Sequence, residues 1–413
     1  MRAGSIFILA LWVTGVAAEP RTGDPTRGKQ ALERRGFNPA IWSQSGYESL
    51  WKLWGYPSKP DNFDELVRER YGLHPAPYPN DGLPMGLRKS SGLIVKGISI
   101  DCLTCHGGSI MGTSYIGLGN ASLDVQALFE DLNAVSGINR PLPFTFTNVR
   151  GTSEAGGMGV YLLGLRTPDL GFRTKRLELG LDDQLCEDVP AWWLLKKKKT
   201  MYYTGGAHAR SVRSLMQFML GSLNTRSAFD REEATFRDIQ AYLLSLEPPK
   251  YPFEINQELA AKGKKVFEAH CAKCHGTYGP DGQYPNRIIP LDEIGTDTRR
   301  YYGISEEFGR YYNRSWFARE KLGWFDDEYA AMPSPGYQAP PLDGVWATAP
   351  YLHNGSVPTV YHLLKSETRP KIFTRSYRTN AEDYDPVKLG WKITVLDRPA
   401  DPSQPPLERR RVY

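Results

Sequence analysis

The sequence lacks long apolar runs, a strong net charge and short internal repeats. No segment after the N-terminal stretch approaches the roughly 20 consecutive apolar residues needed to cross a bilayer, so no membrane span is expected. Lys and Arg number 51 against 46 Asp and Glu, and the formal net charge is +5. A charge this small gives no argument for nucleic-acid binding. The only internal duplication is a short motif built from residues that are otherwise scarce.

Cysteine and histidine are those scarce residues, with 5 and 7 copies in 413 residues. Four of the cysteines and two of the histidines nevertheless form two copies of Cys-x-x-Cys-His. This pentapeptide is the attachment sequence for a c-type haem. The two thiols bond to the porphyrin, and the adjacent histidine supplies the proximal nitrogen ligand of the iron. The first motif consists of Cys102, Cys105 and His106, and the second of Cys271, Cys274 and His275.

Zinc is the alternative ligand for paired cysteines. In a zinc ribbon the two pairs are separated by a short interval. Here more than a hundred residues separate them. The sequence therefore predicts two covalently bound haem c groups, each with one iron.

The N-terminal residues read as a signal peptide spanning 1–18. A basic start at Arg2 is followed by the apolar stretch 6–13 and by the small residues 16–18. We therefore expect export to the periplasm, the compartment in which the cysteines meet haem. The expected partners are a small-molecule oxidant and a periplasmic redox protein.

The fold is predicted to be mainly α, with two cytochrome c-like domains, each around a covalent haem c, and long irregular loops. Apolar residues at helical spacing predict a helix from about Glu232 to Leu246. The proline-rich segment 248–252 ends it and reads as a linker. The N-terminal domain, with the reactive haem, is placed at 25–247, and the C-terminal domain, with the electron-transfer haem, at 253–413.

The residues that lead into the second motif fall on one face of a predicted helix. Gly263, Phe267 and Cys271 are four residues apart. This spacing predicts that Phe267 lies against the haem and that Gly263 allows another helix to approach closely.

Several further residues keep two interpretations open. His74 or Met85 could be a sixth iron ligand at the first haem, or could line its surroundings. The adjacent Trp192 and Trp193 could relay electrons between the haems, or could fill the interface between domains. Cys186 is left over from the two motifs and reads as a buried thiol, with an intermolecular disulfide or iron ligation as alternatives.

His353 lies in the segment Tyr351-Leu352-His353-Asn354-Gly355-Ser356. Asn-Gly is a turn signal, and the following serine and proline predict the start of a helix. A histidine fixed at such a corner suits an axial ligand opposite His275. The alternative is a histidine hydrogen-bonded within the turn.

The C-terminal region resembles the rubber-oxygenase-like di-haem c-type cytochromes, within the broader di-haem cytochrome c peroxidase superfamily. The resemblance is specific around the two motifs and at residues 342–364, Phe373, 385–387 and 390–391. It implies that His106 is proximal to a reactive haem with an open distal side. It also implies that His275 and His353 both ligate the iron of the electron-transfer haem.

The first domain departs from the peroxidase pattern. Residues 203–206 and 214–217 echo the peroxidase order, but 218–221 replace the continuation that carries its acidic residue. This departure argues against standard peroxide chemistry. His208, in the loop after 203–206, is the candidate distal acid–base group, although a surface histidine beside two glycines is the alternative reading.

Two functions follow from these patterns. The first is a periplasmic oxidoreductase that uses peroxide or dioxygen at the N-terminal haem, while the C-terminal haem relays electrons. The second is a non-catalytic di-haem electron carrier or a subunit of a redox complex. An open iron position distinguishes the two.

Overall fold

The computed structural model describes residues 22–91, 96–181, 186–221, 223–320, 331 and 334–413. The predicted signal peptide at 1–18 lies outside the described residues. No helix within these ranges has the length and apolar character needed to cross a membrane.

Sixteen α-helices are described, most of them of one or two turns. They are α1 (Pro25–Arg34), α2 (Gln44–Glu48), α3 (Leu50–Leu53), α4 (Phe63–Tyr71), α5 (Leu103–His106), α6 (Val125–Val135), α7 (Ala155–Gly164), α8 (Val212–Leu215), α9 (Arg226–Ser245), α10 (Gln257–His270), α11 (Ala272–His275), α12 (Leu291–Ile294), α13 (Arg299–Tyr302), α14 (Glu306–Tyr312), α15 (Val360–Leu364) and α16 (Pro406–Arg409). Short 3-10 helices lie at Trp192–Leu194, Met216–Gly221, Val345–Ala347, Ser366–Thr368 and Ala381–Asp383.

The strands are short and antiparallel, in one three-stranded sheet of order β1-β3-β2 and six two-stranded sheets. They are β1 (Trp42–Ser43), β2 (Leu87–Ser91), β3 (Lys96–Ile100), β4 (Gly107–Ile110), β5 (Thr113–Ile116), β6 (Thr152–Ser153), β7 (Glu187–Asp188), β8 (Thr200–Met201), β9 (Ala207–His208), β10 (Ile288–Pro290), β11 (Gly336–Gln338), β12 (Phe373–Thr374), β13 (Tyr384–Asp385), β14 (Gly390–Trp391) and β15 (Thr394–Val395).

The prediction of a mainly α fold is wrong. Helices hold 37% of the described residues, and strands hold a further 13%. The physical reason is that many of the predicted irregular loops are buried, and buried backbone N–H and C=O groups need partners. The chain after the first motif is an example, because it doubles back as the β4–β5 ribbon, with Gly107 opposite Ile116.

The pair α1 and α9 frames the N-terminal half, by which we mean the described residues up to 247. The Asp24 carboxylate caps α1 by accepting hydrogen bonds from two backbone N–H groups of the first turn. Gly28 lies where a Cβ would meet the Asp238 carbonyl at 2.0 Å, so only glycine permits this approach. Helix α9 begins six residues before the predicted Glu232, because Ala228 and Phe229 extend its buried face.

The main apolar core draws on both sides of the predicted linker. Leu32 of α1 and Phe236 of α9 pack in the same cluster as Tyr312 and Phe317 of the C-terminal half, by which we mean residues from 253 onward. Arg410 near the C-terminus also pairs with the buried Asp124 carboxylate at 2.9 Å. The two halves therefore share a core, and the domain boundaries at 247 and 253 stay a prediction.

Candidate haem-attachment sites

A buried ion pair fixes the start of the first motif. The Asp101 carboxylate accepts a hydrogen bond from the backbone N–H of Leu103 at 2.7 Å and one from Arg88 Nε at 2.5 Å. Both side chains of the pair are at most 5% exposed. The guanidinium of Arg88 also donates to the carbonyls of Leu32 and Glu33. This network positions the single turn of α5 from the interior side.

The cysteines of the first motif are partly buried and not linked to each other. Burial raises the pKa of Cys105 to about 11 and that of Cys102 well above its usual range. Both side chains are therefore neutral thiols at pH 7. Reduced, unlinked thiols on one helical turn are what thioether attachment of a haem requires.

His106 ends this turn with a neutral imidazole. Burial lowers the pKa of His106 to about 4, with the Pro190 carbonyl acting in the opposite direction. Its Nδ1 atom is buried and makes no hydrogen bond. The ring stacks on Trp192, with centroids 4.4 Å apart and planes 20° apart. A neutral imidazole is the form that ligates a metal, so the residue fits the proximal role.

The second motif follows α10 directly. Asn256 caps that helix through a hydrogen bond from the backbone N–H of Leu259 at 2.9 Å. At the end of α11, His275 Nδ1 lies 2.8 Å from the Pro340 carbonyl oxygen. A carbonyl only accepts, so Nδ1 carries the proton and Nε2 keeps its lone pair. The second histidine is therefore set in the tautomer that binds iron through Nε2.

The face of α10 that leads to the second motif is apolar and exposed. Leu259 is 63% exposed and Val266 60% exposed, and no residue of α10 is buried. Phe267 contacts Tyr278 edge-on, with centroids 5.8 Å apart. A Cβ at Gly263 would meet no atom within 4 Å, so no described helix approaches there as the sequence predicted. An uncovered apolar face beside two unlinked thiols fits a large apolar group such as haem.

His353 is buried beside β11. Its Nε2 lies 3.0 Å from the Asp297 carbonyl oxygen, and its Nδ1 is buried without a hydrogen bond. The ring stacks on Tyr337 at 4.4 Å between centroids. The hydrogen bonds and ring contacts of the described residues do not join His353 to His275. Instead, both histidines contact the segment 337–340. His353 stacks on Tyr337, and His275 is hydrogen-bonded to the Pro340 carbonyl. Joint ligation of one iron stays a prediction.

The tryptophan pair lies between the two motifs. Trp192 stacks on His106, and its backbone N–H donates to the Gly117 carbonyl at 2.8 Å. Trp193 is 1% exposed, and its Nε1 donates to the Asp343 carbonyl at 2.9 Å. One ring therefore contacts the first motif, while the next is bonded to the chain three residues beyond Pro340.

His208 lies on the β8–β9 ribbon, opposite Thr200. Its Nδ1 accepts a hydrogen bond from the backbone N–H of Arg210 at 3.0 Å. Partial burial, followed by the charge of Arg210, lowers the pKa of His208. The ribbon packs against β11, where Gln338 Nε2 donates to Thr200 Oγ1 at 2.7 Å. The assignment of His208 as a distal acid–base group stays a prediction.

Three of the ambiguous residues have defined partners in the structure. His74 is buried, and its Nε2 lies 3.0 Å from Asn120 Oδ1. Met85 is 1% exposed and packs beside Gly107 at the end of α5. The Cys186 thiol donates to Thr152 Oγ1 at 3.4 Å, and burial raises its pKa to about 11. These contacts agree with a lining role for the first two and a protonated thiol for the third.

Sequence reasoning missed the polar groups that hold the motifs. Asp101 and Arg88 are charged residues at inward positions beside α5, and their spacing along the chain gives no sign that they pair. Pro340 acts through its backbone carbonyl, which the sequence cannot place. The signal in the sequence is Pro190, which restricts the backbone two residues before Trp192.

Comparison with known proteins supports a c-type cytochrome relationship. The family model described as RoxA-like, cytochrome c-like matches residues 336–374. Two Sinorhizobium fredii proteins are similar to this chain, y4iM and y4iJ, each described as uncharacterized. The first is 29% identical over 230 residues, which cover 51% of this chain and 50% of that protein. The second is 29% identical over 203 residues, covering 37% of this chain and 33% of that protein.

The chain thus matches about half the length of one relative and a third of the other. The matched family segment includes β11, Pro340, Asp343 and His353. Its description supports haem c binding and electron transfer by a RoxA-like c-type cytochrome.

Proposed function

We propose that this chain is a di-haem c-type cytochrome oxidoreductase that uses peroxide or dioxygen. The first motif would hold the reactive haem, and the second motif the haem that relays electrons. The observation that carries the proposal is the bridge between the motifs. Trp192 stacks on His106, and Trp193 is bonded to Asp343, close to the Pro340 carbonyl that faces His275.

When bound, a c-type haem supplies a redox-active iron, and an open coordination position on that iron allows it to bind a small oxidant. The protein's contribution lies in the ligands and their surroundings. Burial keeps His106 neutral, and the Pro340 carbonyl fixes the tautomer of His275. The settings of the two histidines differ, because the turn that carries His106 has two buried residues and the turn that carries His275 has none.

The chain also provides a connection for electrons. The rings of Trp192 and His106 are in stacking contact, and Trp193 adjoins Trp192 covalently. From Trp193 a 2.9 Å hydrogen bond reaches the Asp343 carbonyl, and three residues of chain lead back to Pro340. This route runs through ring contact, covalent bonds and hydrogen bonds, and its central ring, Trp193, is 1% exposed.

The proposal includes a periplasmic location, the compartment in which c-type haem is attached. It also includes a redox partner protein that exchanges electrons with the second haem at the exposed face of α10. The bis-histidine ligation of the second iron by His275 and His353 is part of the proposal. It requires His353 to exchange its hydrogen bond to the Asp297 carbonyl for the metal.

The deciding experiment is a carbon monoxide difference spectrum of the dithionite-reduced holoprotein, calibrated against total haem. We expect carbon monoxide to bind about half of the haem, because one iron is open and the other is closed by two ligands. Binding to none of the haem would reject the oxidant-using function and favour the alternative, a di-haem electron carrier or a subunit of a redox complex.

Two double variants show which of the two motifs carries the haem with the open iron position. The double substitution C102A/C105A should remove one covalent haem by mass and abolish carbon monoxide binding. The matched C271A/C274A variant should remove the other haem and retain binding. Loss of binding in the second variant only would contradict the assignment of the reactive haem to the first motif.

A further inference from the structure

Arg375 follows β12 in the C-terminal half and reaches the N-terminal half. The residue is 5% exposed, and its Nη2 donates to the Ala121 carbonyl. Its Nε and Nη1 atoms are buried and make no hydrogen bond. A guanidinium has donors only, so these groups need an acceptor that the surrounding protein does not provide.

The immediate surroundings of Arg375 hold the cation without neutralising it. Its guanidinium lies 4.4 Å from the ring centroid of Tyr377 and 5.0 Å from that of Trp391. Burial lowers the pKa of Arg375, although Asp188 acts in the opposite direction. No ion pair among the described residues includes Arg375. A buried charge of this kind strongly destabilises a fold unless an anion pairs with it.

Two separate chains of contacts connect this guanidinium to the first motif. Ala121, its acceptor, follows Asn120, whose backbone N–H donates to the Cys105 carbonyl at 2.8 Å. The second route runs through β7. The charge of Glu187 acts on the Cys105 thiol, and the adjacent Asp188 is the carboxylate on which Arg375 acts.

A second buried donor, from α13, contacts the same strand. Arg300 pairs with Glu187 through Nε, while its Nη1 is buried and makes no hydrogen bond. Arg300 is 4% exposed. Two buried guanidinium groups with spare donors thus interact with the two residues of β7, Arg300 with Glu187 and Arg375 with Asp188.

We propose that Arg375 binds a carboxylate, and that this carboxylate is a propionate of the haem attached to Cys102 and Cys105. Arginine suits this role because it stays charged when buried and donates charge-assisted hydrogen bonds to carboxylates. A residue of the C-terminal half would thereby help to hold the cofactor of the N-terminal half. The inference rests on the proposed function only in requiring haem at the first motif.

The test is a potentiometric titration of the holoproteins R375M and R375K, with the two haems followed by their visible spectra. We expect R375M to shift the midpoint potential of the first haem downward, because loss of a nearby cation stabilises the more positive ferric state. The second haem should be unchanged. R375K should show a smaller shift, since lysine keeps a point charge without the guanidinium donors.

The matched control is R378M. Arg378 lies three residues further on, and its side chain is 64% exposed and only 3.8 Å from a Glu69 oxygen. This variant should leave both midpoint potentials unchanged. Unchanged potentials in R375M and R375K, with both haems attached by mass, would overturn the inference while leaving the proposed function intact. Absence of haem from the first motif in the wild type would reject both. If R375M does not fold, R375K decides alone.

A free carboxylate is the other source of the same chemistry, and an acetate titration separates the two. If a covalently held propionate is the ligand, added acetate should change the thermal midpoint of the wild type and that of R375K by the same amount. A midpoint that rises with acetate in the wild type but not in R375K would reject the propionate as the ligand.

Discussion

At the scale of single residues, the protonation of His74 is set by its burial. Burial lowers the pKa of His74 to about 4, although its hydrogen bond to Asn120 acts in the opposite direction. In the unfolded chain a histidine has a pKa of about 6.5. Between these values the unfolded state binds the proton and the folded state does not. Stability is therefore lost as the pH falls through this window.

We expect His74 to reduce the free energy of unfolding by about 2 kcal/mol between pH 7 and pH 5. Urea unfolding of the wild type and of H74Q at both pH values measures this. Between pH 7 and pH 5, the free energy of unfolding should fall by about 2 kcal/mol less in H74Q than in the wild type. H270Q serves as the control, because His270 is exposed on α10. An equal pH dependence in H74Q and the wild type would show that His74 is charged or mobile in the fold.

At the scale of secondary-structure elements, two helical glycines have opposite surroundings. A Cβ at Gly28 in α1 would lie 2.0 Å from the Asp238 carbonyl of α9, whereas a Cβ at Gly263 in α10 would meet nothing within 4 Å. We expect G28A to destabilise the protein by about 2 kcal/mol through overpacking. G263A should instead stabilise it by up to about 1 kcal/mol, the difference in helix propensity.

Thermal unfolding of the two variants under identical conditions checks this contrast. Each glycine serves as the control for the other, because both are interior helix positions and receive the same methyl group. A destabilised G263A holoprotein would contradict the expected gain and would indicate that a group packs against α10 at this position.

The elements also show what the sequence could and could not predict. The two motif turns are local, and their helical form and histidine positions follow from five consecutive residues. Helix α9 was predicted from its apolar spacing, with its first six residues missed. The mainly α class failed because burial forced loops such as 107–116 to pair as ribbons. The bond from Arg375 to Ala121 joins residues 254 positions apart, which no local pattern indicates.

At the scale of the whole molecule, the tryptophan pair is the connection between the two halves that also contacts a motif histidine. Trp192 contacts His106, and Trp193 is bonded to Asp343. Lys197 adds a second link, because its Nζ lies 2.6 Å from the Asp343 carboxylate. If the pair only fills the interface, an aromatic ring of similar shape should serve as well. If it conducts electrons, the identity of the ring matters.

We therefore expect W192F to slow electron equilibration between the haems by about tenfold, equivalent to about 1.4 kcal/mol in the barrier. W192Y should retain more of the rate, because a phenol is more readily oxidised than a phenyl ring. Rapid mixing with a reductant, followed at wavelengths that separate the two haems, gives the rate. W42F is the control, since it makes the same Trp-to-Phe change at a tryptophan that packs in a separate cluster and makes no ring contact with either motif histidine. Equal rates in W192F and W42F, with both midpoint potentials unchanged, would assign Trp192 to packing alone and would remove the observation on which the oxidoreductase proposal rests.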